Sequence, residues 1–165
     1  MIKVALVTVS DSVLAGTRVD GSGPAVRERV EALGWTVSAV ELVPDESLQI
    51  AEVLRQLATS GEVAVIFTIG GTGVALRDVT PEATRSVIER EIPGLGELMR
   101  SEGQKFTSRA VLSRGLAGVR GRTLIVNLPG SPKGAVESLD TVAKLIPHVV
   151  DLLEGRTAHE GDVPH

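Results

Sequence analysis

Apolar residues fall in two rhythms along the chain, short unbroken runs and stripes recurring every three or four positions, and the two alternate. Residues 2–9 are an apolar, β-branched run that reads as a buried first strand. A polar, Gly-containing stretch follows over 10–23. Pro24 then opens a helix carrying Val26, Val30 and Leu33 on one face, closed by Gly34. Residues 35–43 read as a second strand, with Val37, Ala39, Glu41 and Val43 alternating with Thr36, Ser38, Val40 and Leu42. Pro44-Asp45-Glu46-Ser47 breaks that strand. Ile50, Val53, Leu54 and Leu57 predict a helix ending near Gly61, and 63–68 a short third strand.

Gly70-Gly71-Thr72-Gly73 cannot continue the third strand, so a loop runs to Thr80, whose side chain is expected to cap a helix from Pro81. Val87 and Ile88 supply the apolar face of that helix. Pro93-Gly94 interrupts the chain, and 95–103 read as another helix. Residues 104–121, rich in Ser, Arg and Gly, suit either a short helix or partly ordered loops. A late buried strand over 123–127 ends at Leu128-Pro129-Gly130. Ser131 and Pro132 cap and start a long helix through Leu153, which Pro147 should kink or divide. The expected organisation is one domain over residues 1–155 and a frayed tail over 156–165.

Strands alternating with helices predict an α/β fold of three layers, a mostly parallel central sheet with helices on both faces. Ligands of such sheets bind outside the carboxyl ends of the strands. Ser10-Asp11-Ser12, Asp45, the loop over 70–78 and the turn over 127–131 all fall at those ends.

Composition narrows the chemistry. The chain has 165 residues, 42% of them hydrophobic, a net charge of −4 and no cysteine. Thiolate nucleophiles, disulfides and thiolate metal sites are therefore excluded. An acidic chain whose aromatics are Trp35, Phe67 and Phe106 lacks the basic patch and stacking platform of a nucleic-acid binder. His148, His159 and His165 have no metal-ligand spacing. The run over 4–9 is too short for a signal peptide, and 63–67 falls far short of the roughly 20 apolar residues of a membrane span. A cytoplasmic protein with no membrane or nucleic-acid partner is expected.

Each candidate motif has two readings. The glycines over 70–73 let backbone N–H groups surround an anion, or they form a plain turn; their place between strand and helix favours phosphate. They match neither GxxxxGK[ST] nor GxGxxG. Asp45 and Asp78 close separate strand-end loops and, beside a phosphate, would need a bridging cation such as Mg²⁺. Otherwise Asp45 caps the next helix and Asp78 is a turn residue. Ser10, Asp11, Ser12, Asp20 and Ser22 offer polar contacts. Arg77, Lys105, Arg109, Arg114 and Lys133 offer charge to a polyanion. Ser113 has no G-x-S-x-G setting. The Asn127-to-Pro132 turn suits architecture and ligand contact equally.

Taken in order, these strings resemble the Mog/MoaB family of molybdopterin adenylyltransferases from Val4 to about Leu153. The matching strings include Val9-Ser10-Asp11-Ser12, Asp20-Gly21-Ser22-Gly23, Val43-Pro44-Asp45-Glu46, Gly70-Gly71-Thr72-Gly73 and Arg77-Asp78-Val79-Thr80-Pro81-Glu82-Ala83-Thr84. Pro93-Gly94-Leu95-Gly96-Glu97-Leu98-Met99-Arg100, Leu112-Ser113-Arg114 and Asn127-Leu128-Pro129-Gly130-Ser131-Pro132 complete the series. Ile69 departs from the family's usual Thr before the glycines. The resemblance implies the molybdenum cofactor-binding fold, a homotrimer, and transfer of AMP from Mg-ATP to the terminal phosphate of molybdopterin. It also implies hand-over to a separate molybdenum insertase. Asp45 and Asp78 match the magnesium and catalytic carboxylates. Ser10, Asp11, Gly70, Gly71, Thr72, Gly73, Ser113, Asn127, Pro129, Gly130 and Ser131 match substrate-lining positions. The alternative within the same family is a carrier or scaffold that holds molybdopterin without turnover.

Overall fold

Side chains of the first strand, β1 (Lys3–Val9), divide between two cores, because successive strand residues point to opposite faces of a sheet. Val4 and Leu6 join one apolar cluster; Ala5, Val7 and Val9 join the other. The computed structural model describes residues 1–156, so His159, His165 and nearly all of the expected tail lie outside the described residues.

After β1 come α1 (Asp11–Leu14), α2 (Ser22–Ala32), β2 (Thr36–Val43), α3 (Ser47–Thr59), β3 (Val65–Ile69), α4 (Thr80–Val87) and β4 (Arg90–Glu91). Then follow α5 (Pro93–Gly103), a 3₁₀ turn (Ser108–Leu112), β5 (Ala117–Arg120), β6 (Thr123–Leu128), α6 (Pro132–Ala143) and α7 (Ile146–Leu153). The strands form one sheet in the order β2-β1-β3-β6-β5-β4. β2, β1, β3 and β6 run parallel, and β5 and β4 extend the sheet antiparallel. Helices α2, α5, α6 and α7 cover one face, and α3 and α4 the other. This is the expected three-layer α/β architecture. Because β2 and β3 flank β1, the chain leaves β1 in one direction and returns on its other side. That reversal opens a crevice at the carboxyl ends of β1 and β3.

The differences from expectation are local. β4 and β5 were not foreseen, since strands of two and four residues carry no readable period. Helix α2 starts at Ser22 rather than Pro24, and the polar stretch before it contains the single-turn α1. Pro147 divides the last helix, as expected, into α6 and α7. Thr80 does not cap α4. Val79 holds the cap position without a side-chain bond, while the Thr80 hydroxyl, fully buried, donates to the carbonyl of Gly70 at 2.9 Å.

Candidate functional site

A cleft of about 710 Å³ lies along the carboxyl ends of the parallel strands. Its floor is the loop leaving β3. Gly70 and Gly71 have φ of +104° and +70°, a region that L side chains rarely adopt. A Cβ on Gly70 would lie 2.6 Å from the Val9 carbonyl oxygen, and one on Gly71 would collide with the Thr80 hydroxyl. The loop's four carbonyls all have donors. Thr80 gives its hydroxyl to Gly70 and its N–H to Gly71, and Arg114 gives its N–H to Thr72 and its Nε to Gly73. By contrast, the N–H groups of Gly71, Thr72, Gly73 and Val74 donate to no protein acceptor among the described residues. Four adjacent unpaired donors at a strand end form an electropositive concavity suited to an anion.

Asp45 and Asp78 flank this loop. A Cβ on Gly71 would lie 3.4 Å from Asp45 Oδ1, and one on Gly73 2.8 Å from Asp78 Oδ2. Both line the cleft and both are half-buried. Asp45 does not cap α3, whose cap position is Glu46. Instead its Oδ2 accepts from the Asp11 N–H at 3.0 Å, and Asp11 Oδ1 accepts from the Asp45 N–H at 2.8 Å. This reciprocal pair locks the β1 and β2 loops together. Asp78 is a turn residue as well, accepting from the Ala75 N–H at 3.0 Å. Each carboxylate keeps one oxygen without a protein partner.

The remaining expected residues divide by what their side chains already do. Thr72 lines the cleft with its hydroxyl unpaired, although only 5% of the residue is exposed. Ser10 caps α1 through Val13, Ser113 accepts from the Gly115 N–H, and Ser131 caps α6 through Gly134. Pro129 and Gly130 line the cleft with backbone, and the Gly130 carbonyl accepts from the Ser22 hydroxyl. Asn127 lines the cleft as well, but its side chain is mostly taken up within the protein. At 1% exposure it donates to Thr68 (2.9 Å) and Thr84 (3.0 Å) and accepts from the Leu116 N–H (3.2 Å). Both of its amide hydrogens are thereby engaged, and only the second lone pair of Oδ1 is left for a ligand.

The cations also separate. Arg77 and Arg109 line the cleft, whereas Lys105 pairs with Glu102, Lys133 with Glu137 and Arg114 with Glu82. Arg18 and Arg100 line it too, as do Glu137, Ser138 and Thr141 of α6; Arg100 belongs to a family string but was not among the candidate cations, and the other four were not anticipated. Their signal in the sequence was faint: polar residues beside the apolar stripe of Ala135, Leu139 and Val142.

With this geometry in place, comparison with known proteins is decisive. A family model described as "Probable molybdopterin binding domain" matches residues 5–148. The chain belongs to the molybdenum cofactor biosynthesis family. Within that family it is 40% identical over 156 residues to the molybdopterin adenylyltransferase of Helicobacter pylori strain J99, covering 93% of this chain and 89% of that protein. It is 44% identical over 149 residues to the Drosophila melanogaster molybdenum cofactor synthesis protein cinnamon, covering 90% of this chain but only 25% of the fly protein. The crystal structure of the molybdopterin biosynthesis enzyme MoaB from Thermus thermophilus superposes with a TM-score of 0.89 at 53% identity. That match covers 94% of this chain and 98% of the other. The family's fold is therefore present in full from β1 into α7. Among the described residues no helix is long and apolar enough to cross a membrane.

Proposed function

We propose that this chain is a molybdopterin adenylyltransferase, moving AMP from ATP to the terminal phosphate of molybdopterin and releasing pyrophosphate. The observation that carries the reading is the row of four unpaired N–H groups over 71–74, bracketed by Asp45 and Asp78 in one cleft. Bacterial relatives of that name, matched over most of both chains, support it. An oxygen of the acceptor phosphate attacks the α-phosphorus of ATP. The new P–O bond forms as the bond to the β-phosphate oxygen breaks, and its electron pair leaves with pyrophosphate.

The acceptor is already an anion, so no side chain has to remove a proton, and no histidine base is required. The protein's work is positioning and charge neutralisation. The N–H groups of 71–74 hold phosphate oxygens, Arg77 and Arg109 add positive charge at the rim, and Thr72 offers a hydroxyl. The donor set also fits Mg²⁺, which takes one or two carboxylates and completes its shell with water and substrate phosphate. Among the described residues no cluster of three or more acidic or histidine ligands exists, so Asp45 and Asp78 would hold the ion jointly with the nucleotide. When bound, the ion would offset charge developing on the phosphates. A homotrimer in the cytoplasm, passing its product to a separate insertase, completes the proposal.

Pyrophosphate release from Mg-ATP in the presence of molybdopterin tests the reading. Asp78→Asn should reduce it on the order of 10³-fold with folding and molybdopterin binding retained. Wild-type protein that binds molybdopterin yet releases no pyrophosphate would be a carrier instead.

A further inference from the structure

Arg114 stands outside the cleft lining, yet it holds two carbonyls of the glycine loop, as many as Thr80, and the backbone of Asp78 besides. Its backbone N–H donates to the Thr72 carbonyl at 2.8 Å. Its Nε donates to the Gly73 carbonyl at 2.8 Å and its Nη2 to the Asp78 carbonyl at 2.6 Å. Nη1 meets both carboxylate oxygens of Glu82 at 2.9 Å, which anchors the guanidinium to the first turn of α4. Four of its five side-chain donors are thereby engaged, so Arg114 is poorly placed to serve as a substrate ligand. A guanidinium can span these acceptors because its donors are planar and fixed in direction; an ammonium cannot reproduce the fork.

We infer that Arg114 is a positioning residue, which aims the N–H groups of Gly73, through its backbone, and Val74, through its guanidinium, together with the carboxylate of Asp78, into the cleft by holding carbonyls on the opposite side of the loop. Peptide geometry supplies the link, since the carbonyl and N–H of one planar unit point in opposite directions. Pulling the Thr72 and Gly73 carbonyls outward turns the N–H groups of Gly73 and Val74 inward. The same side chain grips the backbone of Asp78, so anion donors and carboxylate are set together. Glu82 acts one step further back, by holding the guanidinium.

This inference rests on the proposed adenylyl transfer, and the experiment separates the two. Arg114→Gln and Arg114→Lys are compared with wild type for pyrophosphate release and by amide NMR of residues 71–78. Both variants should lose at least 30-fold in kcat, with KM for molybdopterin within about 2-fold, and added guanidinium should partly restore Arg114→Gln. Glu82→Gln, which keeps the arginine, should lose only 3- to 10-fold. An Arg114→Lys protein with more than half of wild-type kcat overturns the inference, because charge alone would then suffice. If the wild type releases no pyrophosphate, the proposed function fails while the NMR arm still decides. Broadened signals for 71–78, with the rest of the spectrum unchanged in Arg114→Gln, support the tether. Sharp wild-type-like signals refute it.

Discussion

Two strand-to-helix turns lie back to back in this molecule and differ in how many backbone donors they leave open. The β3 turn, 70–73, and the β6 turn, 129–131, touch through their glycines: a Cβ on Gly130 would come within 3.3 Å of the Gly70 Cα. In the first, remote residues bind every carbonyl and four consecutive N–H groups are left open. In the second, Pro129 and Pro132 remove two donors from four positions, only the N–H groups of Gly130 and Ser131 are left open among the described residues, and Ser131 caps the helix that follows. In the proposed function the first turn receives an anion. The other builds the wall beside it, with Asn127 bracing the strand beneath. A strand-end glycine therefore says little until the partners of its neighbouring carbonyls are known.

The sharpest way to break this contrast is Gly71→Ala. The methyl group enters the left-handed region and collides with the Thr80 hydroxyl, so the loop must move. Loss of aligned donors should reduce adenylyl transfer by about 10²- to 10³-fold, the scale of removing preorganised oxyanion donors. Gly130→Ala is the comparison in the opposite turn: φ there is not positive, and its methyl group meets the Gly70 Cα at 3.3 Å, a contact relieved by a small shift, so transfer should fall less than about 5-fold. Similar losses in the two variants, measured side by side, would abolish the distinction.

Next in size is Asn127→Ala. Three buried groups, the Thr68 and Thr84 hydroxyls and the Leu116 N–H, lose their partner. At roughly 1–3 kcal/mol for an unsatisfied buried polar group, partly relieved by the hydroxyls re-pairing, the loss of stability should be about 3 kcal/mol. Chemical denaturation reads this directly. A variant of unchanged stability but diminished transfer would return Asn127 to the ligand side of the comparison.

Much of this was legible in the sequence because parallel strands buried on both faces are unbroken apolar runs, and the loops at their ends must be polar. Residues 2–9, 63–68 and 123–127 gave the parallel core to within about two residues at either end. What escaped depends on pairing across the chain. β4 and β5 are ordered by β6 and by each other, not by any local period. Thr80 looked like a helix cap because Ser and Thr before Pro usually are, but Gly70 ten residues earlier competes for its hydroxyl and prevails. Arg114 belonged to a list of surface cations until the loop 41 residues before it was brought within reach. The site's carboxylates and glycines could be found by type and spacing, whereas the groups that aim them could not.

Thr80 offers a smaller, cleaner perturbation of the cradle than Gly71. Thr80→Val keeps shape and β-branching and removes one hydroxyl, leaving the Gly70 carbonyl without its buried donor. The expected cost is about 1.5 kcal/mol in stability. Transfer should fall roughly 10-fold, because Gly71 remains tied through the Thr80 N–H at 3.1 Å and Arg114 still holds the distal half of the loop. Combined with Arg114→Gln, the loss should exceed the product of the single losses, since each tether limits what the other's removal can disorder. Simple multiplication of the two effects would mean that the halves of the loop move independently.

Ser131→Ala probes the second turn at its weakest point. The Ser131 hydroxyl accepts from the Gly134 N–H at 3.1 Å, and loss of such a cap costs about 1 kcal/mol. Helix α6 is held by Ala135, Leu139, Val142 and Ala143 in the core, so fraying should stop within the first turn. If this turn is only a wall, stability measured in denaturant falls by that amount while KM for ATP and for molybdopterin stay within about 2-fold, because no preorganised donor has been removed. A 50-fold rise in either KM with the stability loss unchanged would show that the hydroxyl leaves its cap to meet the ligand. The two turns would then form one binding surface, and the contrast between them would hold only in the unliganded protein.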